Sequence, residues 1–545
     1  MSSNAHLTKL AVALAAVAVA TTFAGCGTEE RGDNVQETVA AVKVAPTAST
    51  APKVNVSAAS AASAAAAANT TVQVAPTAST APTVSAGAAS DPRVLAAATA
   101  ALTVVPRLGY VGDANDTATI LTDADFFWTT YFGDSDEFVE RLSLTSQFEE
   151  NGPDPWKTGR LTSALVQMYD LLAPIDTARA EKYLGRLHSY AQAILASRDD
   201  NNGAPADPFR GRVMPAWGAY TPDRDNNWNT DVVTSGLCTY AMAAFARRVL
   251  ENPSLLSDNP GLQDYYRRDA ISFVSAVLET YEAFRPEMHL DGGDSEAYFT
   301  VPQAYSTLRC IGSTEVACRG YRDTAGMPLA YNENFSMMKA LAETALASNT
   351  PLYLGSQDAT ALRLSRSLNE VPLLIAKNFV FFDHHLQSKS LSDGTPYFVW
   401  NAQEPTSRVQ DTPHANFELG SLAVLLLDQP ALNVLLTANG HTDQLGLSTP
   451  LFVRFANTFL RKVWNYDFTN SDPDADGQNL LGARVDGSRP PTETNNYNKE
   501  CAGWIPLAQF SSWVWTRCRD AIFHGPGYLD VDSDAALLRY RQYHP

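Results

Sequence analysis

The chain has 545 residues, of which 45% are hydrophobic and 10% aromatic, enough apolar material for a large core. With 59 Asp and Glu against 40 Lys and Arg, its formal net charge is −19. That balance, with no Lys/Arg-rich run, excludes nucleic-acid binding and weighs against a polyanionic ligand, unless the local field of a cleft opposes the net charge.

Residues 1–26 read as an export signal, with Lys9 ahead of an apolar, Ala/Val-rich run over 10–23. The run is too short to span a bilayer. Phe23-Ala24-Gly25-Cys26 resembles a bacterial lipobox, which makes Cys26 the lipidated residue; ordinary cleavage and secretion is the alternative. Residues 27–100 form a disordered tether of Ala, Thr, Ser, Pro and Val, in which VAPTASTAP occurs at 44–52 and 74–82. The expected protein is therefore exported and anchored to the cell envelope. It meets the membrane only through its lipid, with a folded domain over 101–545.

Within that domain, apolar residues at three- and four-residue spacing predict helices over 161–173, 178–198, 232–251, 263–284, 335–347, 359–385, 414–427, 451–464 and 505–523. Only 397–400 reads as a strand. Successive long helices separated by polar loops predict an all-α fold of paired antiparallel helices: a bundle, a helical repeat or an α/α toroid. No short fixed period is present, which disfavours a solenoid. In an exported chain, Cys310 with Cys318 and Cys501 with Cys518 are expected to form disulfides, while Cys238 sits in an apolar helix as a buried thiol. Trp156, Trp217, Trp228 and Trp400 lie in or beside polar loops, and with Tyr397 they are candidate platforms for sugar rings. Packing against the loops is the competing reading.

The stretch 410–427, QDTPHANFELGSLAVLLL, runs from a polar loop into a helix that is apolar nearly all round. Thr412 is the expected N-cap and Pro413 the first helical residue, placing His414 in the first turn. There the helix dipole favours a neutral imidazole, a usable proton acceptor. A second stretch, MPLAYNENFSMMKALAETAL, sets Tyr331 and Asn332 at the start of another helix, with Asn332 or Asn334 as its N-cap.

With Asn332 and His414 in this helical setting, the chain resembles the α/α-toroid polysaccharide lyases that act on alginate and glucuronan. The resemblance covers roughly 150–525 and runs through WKTGRLTSALVQMYDLL, ILASRDD, PAW, YNENFSMMKALAE, YFVW, DTPHANFELGSLAVLLL, RFANTFLRKVW, ARVDG and AGWIPLAQF. It implies an (α/α)n toroid and β-elimination on a uronic-acid polysaccharide. It also implies a site of Asn, His, Arg and Tyr with no cofactor required. Asn332 and His414 match directly. Arg484 in ARVDG is the best match for the arginine, with Arg454 and Arg461 as competitors. Tyr497 is the matching tyrosine, with Tyr331 as the alternative, because the segment after Arg484 is expanded. In such chemistry the substrate carboxylate is neutralised by hydrogen bonds, a base removes the C5 proton and an acid protonates the leaving O4. The expected partner is an acidic polysaccharide and the expected state a monomer.

Asp472, Asp474, Asp476 and Gly477 match the first half of a calcium loop, but Ala483 stands where the bidentate acid belongs. A solvated acidic turn is the reading, and a structural calcium the alternative. A glycoside hydrolase on the same fold would need two facing carboxylates, drawn from Asp411, Glu418, Glu333, Asp294 and Glu296. A non-catalytic surface glycan-binding lipoprotein and a uronate epimerase complete the rival readings.

Overall fold

The computed structural model describes residues 116–133, 155–221, 224–290, 295–310, 315–356, 365–464, 481–489, 500–524 and 530–544. Cys26, the tether, Asp294, Tyr497 and the acidic loop with Asp472, Asp474 and Asp476 lie outside the described residues.

The described residues are predominantly helical. Short turns aside, the helices are α1 (Thr117–Tyr131), α2 (Pro155–Leu172), α3 (Thr177–Ala196), α4 (Val232–Leu250), α5 (Pro260–Phe284) and α6 (Glu315–Asp323). They continue with α7 (Tyr331–Ser348), α8 (Ser365–His384), α9 (Thr412–Ala438), α10 (Thr449–Thr458), α11 (Trp513–His524) and α12 (Val531–Arg539). Three antiparallel two-stranded ribbons lie between them: β1 (Gly218–Thr221) with β2 (Asn227–Thr230), β3 (Met288–His289) with β4 (Tyr298–Phe299), and β5 (Gln387–Ser390) with β6 (Pro396–Val399). The strand expected over 397–400 is β6.

Asp and Asn residues start several helices by accepting a first-turn N–H: Asp176 from Arg179 at 3.0 Å, Asp231 from Thr234 at 2.6 Å and Asp411 from His414 at 3.0 Å. At α9 the cap is Asp411, not Thr412, so Pro413 takes the second helical position and His414 stays in the first turn. At α7 the cap is Ala330, and neither Asn332 nor Asn334 serves. Asn334 turns back instead, accepting from Phe299 N at 2.8 Å and donating to Leu329 O at 3.0 Å, which ties the helix start to β4.

The core is centred on α4 and α7. Every residue of α7 except Glu333 is buried. Close approach of the two helices requires Gly236, where a Cβ would lie 2.5 Å from the Met337 amide nitrogen. Neighbour relations run from α2 to α4, α4 to α7 and α7 to α9; α9 meets the turn Ile505–Gln509, that turn meets α12, and α12 returns to α2. Helices α3, α5 and α8 pack against these.

Ion pairs link the helices of this series end to like end. Asp170, near the end of α2, pairs with Arg248 of α4 at 2.8 Å and Arg539 of α12 at 2.6 Å. Arg247 of α4 reaches Glu343 of α7 at 3.2 Å and Asp428 of α9 at 2.6 Å. At the opposite end, Arg160 of α2 pairs with Asp530, the cap of α12, at 3.2 Å. These pairs require all five helices to run the same way.

Disulfides join Cys310 to Cys318 and Cys501 to Cys518, with Cα separations of 5.2 and 5.8 Å, and Cys238 is a buried free thiol, as expected. Several helix bounds differ from the sequence reading, and α1 and α6 match none of the expected helices. The expected helix over 505–523 divides into the turn Ile505–Gln509 and α11, and α9 continues to Ala438 because Leu432, Leu435 and Leu436 extend its buried face. Helix α12 was not anticipated, since Asp532 and Asp534 interrupt its apolar pattern; both are buried.

Candidate functional site

The site is built where α9 begins. Backbone bonds pin 410–412 against 482–485: Thr412 N donates to Ala483 O at 3.0 Å, Val485 N to Gln410 O at 3.1 Å and Thr412 Oγ1 to Gly482 O at 2.5 Å. This pairing brings Arg484 opposite Asp411, and its guanidinium donates to the Val409 carbonyl. Asp411 then does two things with one oxygen. Its Oδ1 caps α9 and sits 2.6 Å from His414 Nδ1. The carboxylate thereby fixes the ring, leaving Nε2 without a hydrogen-bond partner among the described residues.

This contact works against the expected neutral imidazole. Burial opposes charging the His414 ring, but the Asp411 carboxylate outweighs it through charge and hydrogen bond and raises the imidazole pKa above its ordinary 6.5. Burial likewise works to raise the Asp411 pKa, yet His414 and the amide bond hold it below the usual carboxylate range.

The first turn of α7 supplies Asn332 and Glu333. Asn332 is 5% exposed and its amide makes no hydrogen bond among the described residues. Burial, then the neighbouring Asp231, pushes the Glu333 pKa up to about 7, against the opposing charges of Arg224 and His414. Glu333 therefore shares an electrostatic neighbourhood with the start of α4 and the start of α9. Asp231 and Arg224 are additions that the sequence reading missed. The signal for Asp231 was present, an Asp directly before the apolar run of α4, but nothing in the sequence placed it beside Glu333.

Trp156, in the first turn of α2, stands edge-on to His414 at 5.7 Å between ring centroids and packs on Phe417 at 4.6 Å. It is half-buried. The other platforms are buried. Trp217 is 1% exposed and donates to Ile194 O; Trp228 donates to Asp199, and Trp400 to Glu418, each at 2.8 and 2.7 Å respectively. Tyr397 is buried beneath Lys462. Each indole satisfies its N–H inside the protein, and so these rings are packing elements.

The alternative residues are engaged elsewhere. Tyr331 is 1% exposed, packed on Phe381 and Phe382, with its pKa raised by burial, so it offers no accessible phenol. Arg454 donates to Ser388 and Arg461 to Asp393, both on the β5–β6 ribbon and its loop. Glu296 pairs with His384 at 2.6 Å. Glu418 is fully buried, accepts from Trp400 and Gln410, and has its pKa pushed up to about 8, chiefly by burial. Gln410 in turn accepts from Asp411 N at 3.0 Å, so Glu418 braces the loop from within.

Comparison of the chain with protein-family models, with curated proteins and with solved structures finds no match. Its chemistry is read from the site alone. Trp156 and Asp411 touch His414 at the start of α9, and charge links His414 to Glu333, the neighbour of Asn332 in the first turn of α7.

Proposed function

We propose that the protein is a polysaccharide lyase that cleaves a uronic-acid-containing chain by β-elimination, on an (α/α)n toroid. The observation that carries the reading is the Asp411–His414 pair, whose Nε2 has no hydrogen-bond partner among the described residues and whose charge acts on Glu333 in the first turn of α7. The cyclic order of neighbours from α2 through α4, α7, α9 and α12 back to α2, all in one direction, supports a toroid.

Clustered N-termini also answer the objection from net charge. Each helix start carries about half a positive charge, and α2, α4, α7 and α9 begin at residues assigned to this site. Arg224 and Arg408 add positive charge, partly offset by Asp231 and Asp411, and a local field of positive sign is what a polyanion requires against the chain's total of −19.

In the proposed reaction the His414 imidazolium donates from Nε2, and the Asn332 amide donates beside it, to the substrate carboxylate. Both interactions strengthen as the C5 carbanion delocalises into that carboxylate. The Glu333 carboxylate, with a pKa matched to neutral pH, removes the C5 proton. The C4–O bond breaks, a C4–C5 double bond forms, and the leaving oxygen takes a proton from the Glu333 carboxyl or from Tyr497. Trp156 stacks on a sugar ring. The two disulfides support an exported location, and lipidation at Cys26 belongs to the same proposal.

One observation favours a second reading. Asp231 raises the Glu333 pKa, so two carboxyl groups are electrostatic neighbours, as a hydrolase would need. The full chain incubated with alginate and glucuronan separates them. A lyase produces the ultraviolet absorbance of an unsaturated uronate, and His414→Ala and Asn332→Ala abolish it while the fold is retained. Reducing ends released without that absorbance transfer the activity to Glu333 and Asp231.

A further inference from the structure

We propose that the interior enclosed by α2, α4, α7, α9 and α12 holds a second binding site, for a small hydroxylated carboxylate, built on Lys339. A cavity of about 370 Å³ lies there, a size typical of small-molecule sites. Lys339 stands on its wall, two turns along α7 from Asn332, and is 6% exposed. Its ammonium lies 3.5 Å from Ser163 Oγ and 3.8 Å from the centre of the Tyr240 ring. No carboxylate pairs with it among the described residues. The arginines of the same cavity differ: Arg247, Arg248 and Arg539 each form ion pairs.

An ammonium has three donors, and leaving them unmatched out of water is costly. Burial accordingly lowers the Lys339 pKa to about 8, against the pull of Asp532 and Glu343, and the group remains charged at neutral pH. Other polar atoms of the wall are also unused. Asn416 accepts from Gly503 N through Oδ1 at 2.7 Å, which leaves its amide hydrogens for the cavity. Asp532 is 5% exposed and its Oδ1 has no partner; burial and the neighbouring Asp530 raise its pKa, which favours the protonated carboxyl.

This donor set selects the ligand. Lys339 supplies one positive charge, which matches one carboxylate; the nearby Glu343 disfavours a doubly charged oxyanion. Asn416, Ser163 and the Asp532 carboxyl match hydroxyl groups, and Phe417 offers an apolar face. Phe417 also touches Trp156, so the cavity lies one helical turn beneath His414. A uronate monosaccharide has all of these features. The site does not depend on the elimination reading: absence of unsaturated product leaves it standing, and loss of monosaccharide binding leaves that reading standing.

Sodium glucuronate titrated into the full chain, followed by calorimetry and by thermal unfolding, tests the proposal, with glucose as the probe lacking a carboxylate. Glucuronate raises Tm and glucose does not. Lys339→Met, which removes the buried charge at similar volume, unfolds at or above the wild-type Tm without ligand and gains nothing from glucuronate. Asn416→Asp keeps the Gly503 bond, sets a negative charge against the carboxylate and weakens binding at least tenfold. His414→Ala leaves the response intact. A wild type indifferent to glucuronate, a Lys339→Met variant that still responds, or loss of the response in His414→Ala overturns the proposal.

Discussion

Replacing Asp411 by Asn separates charge from shape at the centre of the site. Asparagine caps a helix about as well as aspartate, so the bond to His414 N survives and stability changes by only about 0.5 kcal/mol. What is lost is the carboxylate 2.6 Å from Nδ1, which holds the imidazole pKa above its ordinary value. The His414 pKa therefore falls, and the imidazolium that donates to the substrate is depleted at neutral pH. A charge-assisted hydrogen bond is worth about 1.5–3 kcal/mol. The His414 side chain is 30% exposed, so solvent screening argues for the lower end of that range. The expected loss is roughly tenfold in kcat/KM, with the basic limb of the pH profile moved to lower pH. The assay is unsaturated-product formation across pH, with an NMR titration of the ring and a thermal scan as controls. An unaltered ring titration, or a normal pH profile in a folded variant, refutes the reasoning.

Gly503→Ala is expected to unfold the domain or cost at least about 3 kcal/mol, read from urea denaturation, since a Cβ there would lie 1.7 Å from the Asn416 carbonyl oxygen with backbone on both sides. Stability is expected to fall as pH rises from about 5 towards about 8. Glu333 and Glu418 have folded pKa values of about 7 and about 8 against 4.5 unfolded, so the folded state keeps protons that the unfolded state releases. Glu418→Gln removes the larger of these two contributions and flattens the urea midpoint across that range; an unchanged slope contradicts the assignment. Cys501→Ser opens a loop of sequence separation 17 and is expected to cost roughly 3 kcal/mol, measured by comparing oxidised wild type with the variant.

The helical pattern was readable because periodic burial leaves a periodic sequence: Leu419, Leu422 and Leu425 mark the inner face of α9, and all are buried. Disulfide pairing was readable from compartment and spacing, and the free Cys238 from its apolar surroundings. Helix α12 was hidden because Asp532 and Asp534 are buried carboxyls, which no hydropathy pattern discloses. Trp217 and Trp400 read as loop aromatics and proved to be core, since exposure depends on what folds over a loop.

The chain alone marked most of the long helices, the capped turn carrying His414 at the start of α9, and the helix that opens at Asn332. All three follow from local rules, in which a residue's neighbours along the chain supply the physics. The direction in which the His414 pKa moves came from the folded structure, because it sets the Asp411 carboxylate 2.6 Å from Nδ1. It alone set Glu333 beside Asp231 and His414, across three helices distant in sequence. Electrostatic energies depend on distance and burial, and neither is a property of the chain until it folds.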